Sequence, residues 1–137
     1  MKNLEEFHVN VKIKLAALWT SVMFLYIYAD WFALFQPGQV KSMLEGQMRP
    51  LGPVTQSMLV FTSAMMIIPS VMIFLSVALK ATVNRWANVI IGTLYTVTIF
   101  VTASGSWAFM KIYGVFEVVL TGLVVWTAWT WPQPADR

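Results

Sequence analysis

The chain has 137 residues, of which 58% are hydrophobic and 11% charged, with a formal net charge of +3 and no cysteine. A soluble domain carries about 25% charged residues, and a soluble fold with far fewer would leave large apolar patches facing water. An ordinary soluble domain, a disordered chain and a nucleic-acid module are thereby excluded, disulfide and thiol chemistry is excluded as well, and the class is integral membrane protein.

At the N-terminus, Asn3 followed by Glu6 resembles a capping box. Leu4, Phe7, Val11 and Leu15 then fall at helical spacing, so a short amphipathic lead-in helix is expected on the inner surface. His8 lies in this polar stretch with no second ligand type beside it and is read as a solvated surface residue. From Leu15 to Val40 one charged residue, Asp30, occurs in 26 positions. A spanning helix needs about 20 mostly apolar residues to cross roughly 30 Å, so a first span is expected near 15–35. It follows polar residues and lacks a small-x-small cleavage site, so it is read as retained and not as a signal peptide.

The loop from Gln36 to Pro53 is the longest connection. Pro37-Gly38 signals a turn, and Val40, Met43 and Leu44 then recur on one face, which predicts a short helix lying flat on the outer surface. Pro53 suits the first turn of the next helix. Residues 50–79 hold no charge, residues 86–110 none, and residues 112–135 only Glu117. Further spans are therefore expected near 54–79, 86–108 and 112–131. Pro69 removes the hydrogen bond to the Met65 carbonyl, which leaves a backbone acceptor inside the bundle. Short connections at Lys80–Arg85 and at Lys111 force antiparallel neighbours. The apolar runs do not alternate as barrel strands do. The fold class is thus all-α: an integral membrane four-helix bundle, antiparallel, with an interfacial helix in the first outer loop, forming a single membrane domain over 1–137.

Lys2, Lys12, Lys14, Lys80, Arg85 and Arg137 fall on one face, and Lys41, Arg49 and Lys111 on the other. The excess of positive charge places both termini in the cytoplasm. Trp86, Trp126, Trp129 and Trp131 at one end and Trp31 and Trp107 at the other fit interfacial belts. Gly92, Gly114 and Gly122 are expected to mark close helix contacts.

Asp30 and Glu117 are the candidates for chemistry, because carboxylates within spans are costly and face the bundle interior. Asp30 lies seven residues before Pro37 and Glu117 six after Lys111, which puts both roughly 9–10 Å below the outer boundary. Trp19, Met23, Tyr26 and Asp30 share one face of the first helix. Tyr95, Thr98, Thr102 and Ser106 form a polar stripe on the third, with Asn88, Gly92 and Thr96 as a second stripe nearer the inside. Tyr113, Glu117 and Thr121 lie on the fourth. The expected site is an outward-facing pocket walled by Tyr26, Tyr95, Trp107 and Tyr113, with Asp30 and Glu117 at its base. Two carboxyls in a low dielectric cannot both ionise. Such a pair can hold a proton or an organic cation, whose charge aromatic walls also attract. The structural alternative is that Asp30 reaches the headgroups, Glu117 bonds a neighbouring hydroxyl and the hydroxyls only join helices. There is no Ser-His-Asp set, metal cluster, phosphate loop or histidine pair for a haem, so no catalytic residue, metal or cofactor is expected.

Four runs, Lys12-Ile-Lys-Leu-Ala-Ala-Leu-Trp19, Tyr26-Ile-Tyr-Ala-Asp30, Gly52-Pro-Val-Thr-Gln56 and Val83-Asn-Arg-Trp86, resemble a family of small bacterial membrane proteins of unknown function over nearly the whole chain. The resemblance implies four spans and a bacterial inner membrane, and no mechanism. The layout is also similar to that of DoxX-like proteins, some of which are subunits of quinone-linked oxidoreductases; that likeness is architectural and transfers no site. Three functions follow as expectations. The first is a module, proton-coupled or not, that binds a small amphipathic or cationic ligand. The second is an accessory or structural subunit of a membrane complex. The third is a small multidrug-type transporter acting as a dimer, disfavoured because such proteins hold the first-helix carboxylate mid-membrane. Partners are membrane lipids and the ligand, with a homo-oligomer or membrane-protein partner under the last two readings, and no nucleic acid.

Overall fold

A computed structural model describes residues 6–49, 51–102 and 107–132. Among them the chain forms five α-helices and one minimal two-stranded ladder: α1 (Val11–Ala33), α2 (Gln39–Leu44), β1 (Gln47–Met48), β2 (Gly52–Pro53), α3 (Gln56–Ala78), α4 (Ala81–Thr102) and α5 (Ala108–Trp129). The all-α expectation holds. Lys2, Asn3, Leu4, Ser106, Arg137 and the Thr102 side chain, all named above, lie outside the described residues.

Capping explains where the helices differ from expectation. Residues 6–10 are not helical, so no separate lead-in helix forms there. Asn10 instead caps α1, its side-chain oxygen accepting from the Lys12 backbone N–H at 2.9 Å. The N-cap satisfies an orphan amide and fixes the start four residues before the predicted one. Thr55 does the same for α3, accepting from Met58 N–H. Pro53 consequently sits in β2, opposite Gln47, and not in the first turn of α3. Leu79 and Lys80 alone separate α3 from α4, so Asn84 and Arg85 belong to α4 and not to a loop. Trp107 precedes α5, and Lys111 lies inside that helix, its N–H bonded to the Trp107 carbonyl. The predicted position of Lys111 between two helices is corrected accordingly.

The predicted loop helix is present as α2, entered through Gly38 at φ +80°, a left-handed conformation that glycine adopts without strain. Ser42 is its buried residue, while Val40, Met43 and Leu44 face outward.

The long helices have a definite neighbour pattern: α1 packs against α3 and α5, α5 packs against α4, and α4 touches α3 more lightly. The core is small and consists of Leu15, Trp19, Val22, Met72, Tyr95, Val124 and Ala128. Buried polar residues are Ser42, Ser76, Asn84, Asn88, Glu117 and Thr121, while Phe24, Phe61, Phe74, Ile90, Phe100 and Val115 are exposed. Polar groups inside and large apolar groups outside is the arrangement for lipid as solvent. Among the described residues α1, α3 and α5 are long and apolar enough to cross a membrane, which marks a membrane protein. Asn84, Arg85 and Asn88 make the first half of α4 more polar.

Close packing of α4 on α5 is set by Gly92. A Cβ there would meet Val125 Cγ2 at 2.9 Å and Val124 Cγ1 at 3.3 Å. Around Gly122 there is open space, so the close contact expected there is absent. Gly92→Ala is therefore expected to lower stability by about 1–3 kcal/mol, the usual cost of overpacking against stiff branched side chains. Gly122→Ala should leave stability unchanged or slightly raised, because it clashes with nothing and favours helix. Denaturation of the two variants in one detergent compares them, and equal behaviour would remove the role given to Gly92.

Candidate functional site

The buried stripe of α1 runs through Leu15, Trp19, Val22 and Ala29. Asp30 is one residue past this stripe, about 100° around the helix, and is exposed. The expected shared face of Trp19, Met23, Tyr26 and Asp30 is thus replaced by one on which Asp30 sits at the edge. In α5 the buried stripe is Gly114, Glu117, Thr121, Val124 and Ala128. Glu117 points inward and is 7% exposed. Its carboxyl is within electrostatic reach of Asp30 and of the Tyr26 hydroxyl, and Tyr26 in turn of Tyr95. Asp30 lies three residues from the end of α1 and Glu117 nine residues into α5, roughly 5 Å against 14 Å along the helices.

Between the C-terminal end of α1 and the N-terminal end of α5 a cleft of about 410 Å³ opens, and Asp30, Glu117 and Tyr26, expected at its base and wall, are not among its lining residues. It is lined by Phe32, Phe35, Gln36, Trp107, Phe109 and Tyr113. Two predicted wall residues, Trp107 and Tyr113, line it. Tyr113 is one helical turn from Glu117, which connects the cleft to the buried carboxyl through one face of α5. Gln36 is the one amide in an otherwise aromatic wall. Among the described residues the one ion pair is the exposed Lys41–Glu45 contact at 3.9 Å, so neither Asp30 nor Glu117 is neutralised by a lysine or arginine there. No three His, Asp or Glu side chains come together as a metal site among those residues.

Tyr95 has a different place. It is 2% exposed, its ring meets Trp19 edge-on at 6.1 Å, and its hydroxyl donates to the Met65 carbonyl. That carbonyl is the acceptor which Pro69, four residues later, leaves without its helical N–H. The tyrosine satisfies a backbone defect in the core and is absent from the cleft wall. Several hydroxyls along the helices turn back on their own backbone: Thr62 on Met58, Ser70 on Met66 and Thr98 on Leu94. The Thr96 hydroxyl lies 2.8 Å from the Gly92 carbonyl of its own helix and also reaches across to the Thr121 hydroxyl at 2.8 Å, which ties α4 to α5.

Residues 1–136 match DUF6326, described as a family of unknown function. The chain belongs to that family. No curated protein and no solved structure matches it. Family membership agrees with the resemblance read from the sequence and supplies no chemistry, so the site must be argued from its geometry.

Two features escaped the sequence reading. The cleft residues Phe32, Phe35 and Phe109 were not singled out, although Phe32–Phe35 and Phe109–Tyr113 stand at one-turn spacings. The second feature is a buried polar knot. Asn88 Oδ1 accepts from Trp19 Nε1 at 2.7 Å and from Ser76 Oγ at 3.3 Å, and Asn88 Nδ2 donates to the Asn84 carbonyl and to Asn84 Oδ1. Asn84 Nδ2 donates to the Ser76 carbonyl. Its signal in the sequence is the Asn84, Asn88 pair at i, i+4, which shares a helix face only because α4 begins at Ala81 and not at Trp86.

Proposed function

We propose that the chain is an antiparallel bundle of four spans in a bacterial inner membrane, with both termini cytoplasmic. In this reading the bundle binds a small amphipathic cation in the outward cleft. Contacts that join the start of one helix to the end of the next support the bundle. Lys12 donates to the Val77 and Leu79 carbonyls, and Arg85 to the Trp129 carbonyl. The 22 residues of α4 reach about 33 Å, enough for a span. Lys12, Lys14, Lys80 and Arg85 gather at one end, which supports cytoplasmic termini.

The observation that carries the ligand class is an aromatic cleft whose Tyr113 stands one helical turn from Glu117, with no lysine or arginine paired to Glu117 or Asp30 among the described residues. An apolar, positively charged molecule fits both halves. Its hydrocarbon part replaces lipid or water against Phe32, Phe35 and Phe109, and its charge meets the faces of Trp107 and Tyr113 and the field of Asp30 and Glu117. Quinone-linked or other accessory-subunit roles and dimeric multidrug-type transport have no such specific support.

The test is equilibrium binding of tetraphenylphosphonium to the protein in nanodiscs. Trp107→Leu and Tyr113→Leu are each expected to weaken binding roughly tenfold, the scale of a desolvated cation–aromatic contact. Wild-type protein that takes up no more cation than empty nanodiscs would end this reading and leave the accessory-subunit role to be tested by affinity capture of partners.

A further inference from the structure

At the opposite end of the bundle, Arg85 is held in an unusual way. Its guanidinium lies over Trp129 at 5.6 Å and over Trp86 at 5.9 Å from the ring centroids. The two rings meet edge-on at 6.3 Å and 88°, forming a corner. One terminal nitrogen donates to the Trp129 carbonyl at 3.2 Å, and Nε is buried with no hydrogen-bond partner. Arginine has five N–H donors, so a single carbonyl leaves most of them for another acceptor. The chain between residues 46 and 116 contains no Asp or Glu, and no acidic side chain pairs with Arg85 among the described residues.

From this we infer that Arg85 is the anchor of a binding site for the phosphate of an anionic phospholipid at the α4–α5 end. A guanidinium fixed by two rings offers its remaining N–H pair in the planar fork that phosphate oxygens match. Trp86 and Trp129 are about half exposed, and such rings sit at headgroup level, so the phosphate arrives as part of a lipid whose chains lie along α4 and α5. The inference rests on the membrane placement of these helices and is independent of the aromatic cleft.

Native mass spectrometry of detergent-solubilised protein tests it, with phosphatidylglycerol, phosphatidylcholine and inorganic phosphate offered separately. Wild type is expected to retain phosphatidylglycerol over phosphatidylcholine by roughly tenfold, the scale of a hydrogen bond to a charged group, and to retain no inorganic phosphate. Arg85→Gln should abolish the preference. Trp129→Leu, which keeps the charge and removes one ring, should give an intermediate preference, and it carries the test if the Arg85 variant does not fold. Equal retention of the two lipids by wild type, or an unchanged preference in the variants, would overturn the site. Retention of inorganic phosphate alone would overturn its assignment to lipid. A preference that arises only in Asp136→Asn would also overturn it, since the tail carboxylate would then be the partner of Arg85.

Discussion

Replacing Asn88 by leucine is expected to destabilise the protein by about 2–3 kcal/mol, because two or more fully buried groups lose their partners at about 1–3 kcal/mol each. Leucine fills a similar volume, so the loss reports hydrogen bonding and not a cavity. Trp19 is 0% exposed, so its N–H cannot turn to solvent once Asn88 Oδ1 is gone. Asn84 Oδ1 loses the donor that Asn88 Nδ2 gives it at 2.6 Å, and the Asn84 carbonyl loses the second contact at 2.9 Å. The Ser76 hydroxyl can fall back on a carbonyl one turn earlier, as Thr62 and Ser70 do, so it adds little. Helix-joining hydrogen bonds in lipid average only about 0.6 kcal/mol, since the dissociated helices also find partners. The larger value is expected here because one side chain serves α1, α3 and α4 together. Trp19→Phe removes a single donor and should cost about 1 kcal/mol. The double variant should cost less than the sum, because the two share a bond. Detergent-denaturation curves give the three values; an Asn88→Leu protein as stable as wild type would show that the knot contributes nothing.

Why the helices could be read from the sequence and the knot could not has a physical basis. Four nearly charge-free segments each long enough to span are a property of single stretches of chain, so the four long helices were legible from 11% charge alone. The Met65 acceptor was legible for the same reason, because Pro69 defines its own missing bond. Its donor, Tyr95, lies 30 residues away on another helix, and only packing selects it. Helix ends moved where a local cap outweighed hydropathy, at Asn10 and Thr55. Asp30 and Glu117 were recognisable as intramembrane carboxylates, but the side each faces is decided by which stripe the neighbouring helices cover. A shift of one residue around α1 turns Asp30 from the interior to the edge.

That difference in burial separates the two carboxylates functionally. Glu117→Gln is expected to weaken binding of tetraphenylphosphonium by roughly thirtyfold or more, corresponding to about 2 kcal/mol for removing one partner of a buried charge contact. Asp30→Asn should weaken it only about two- to fivefold, the range of an exposed, solvent-screened pair. Both changes are nearly isosteric, so fold and cleft shape are retained. The asymmetry follows from position: Glu117 lies on the buried stripe of α5 one turn below Tyr113, where water cannot screen its field, and Asp30 is exposed at the end of α1. A carboxyl that trades its proton for the bound cation would also release a proton on binding, measurable with a pH dye in weakly buffered solution. That release should vanish in Glu117→Gln and persist in Asp30→Asn. Equal effects of the two substitutions on affinity would mean that the field of the pair, and not the buried position of Glu117, attracts the ligand. No effect from either would detach the aromatic cleft from both carboxylates and leave Glu117 as a core group held by its helix neighbours.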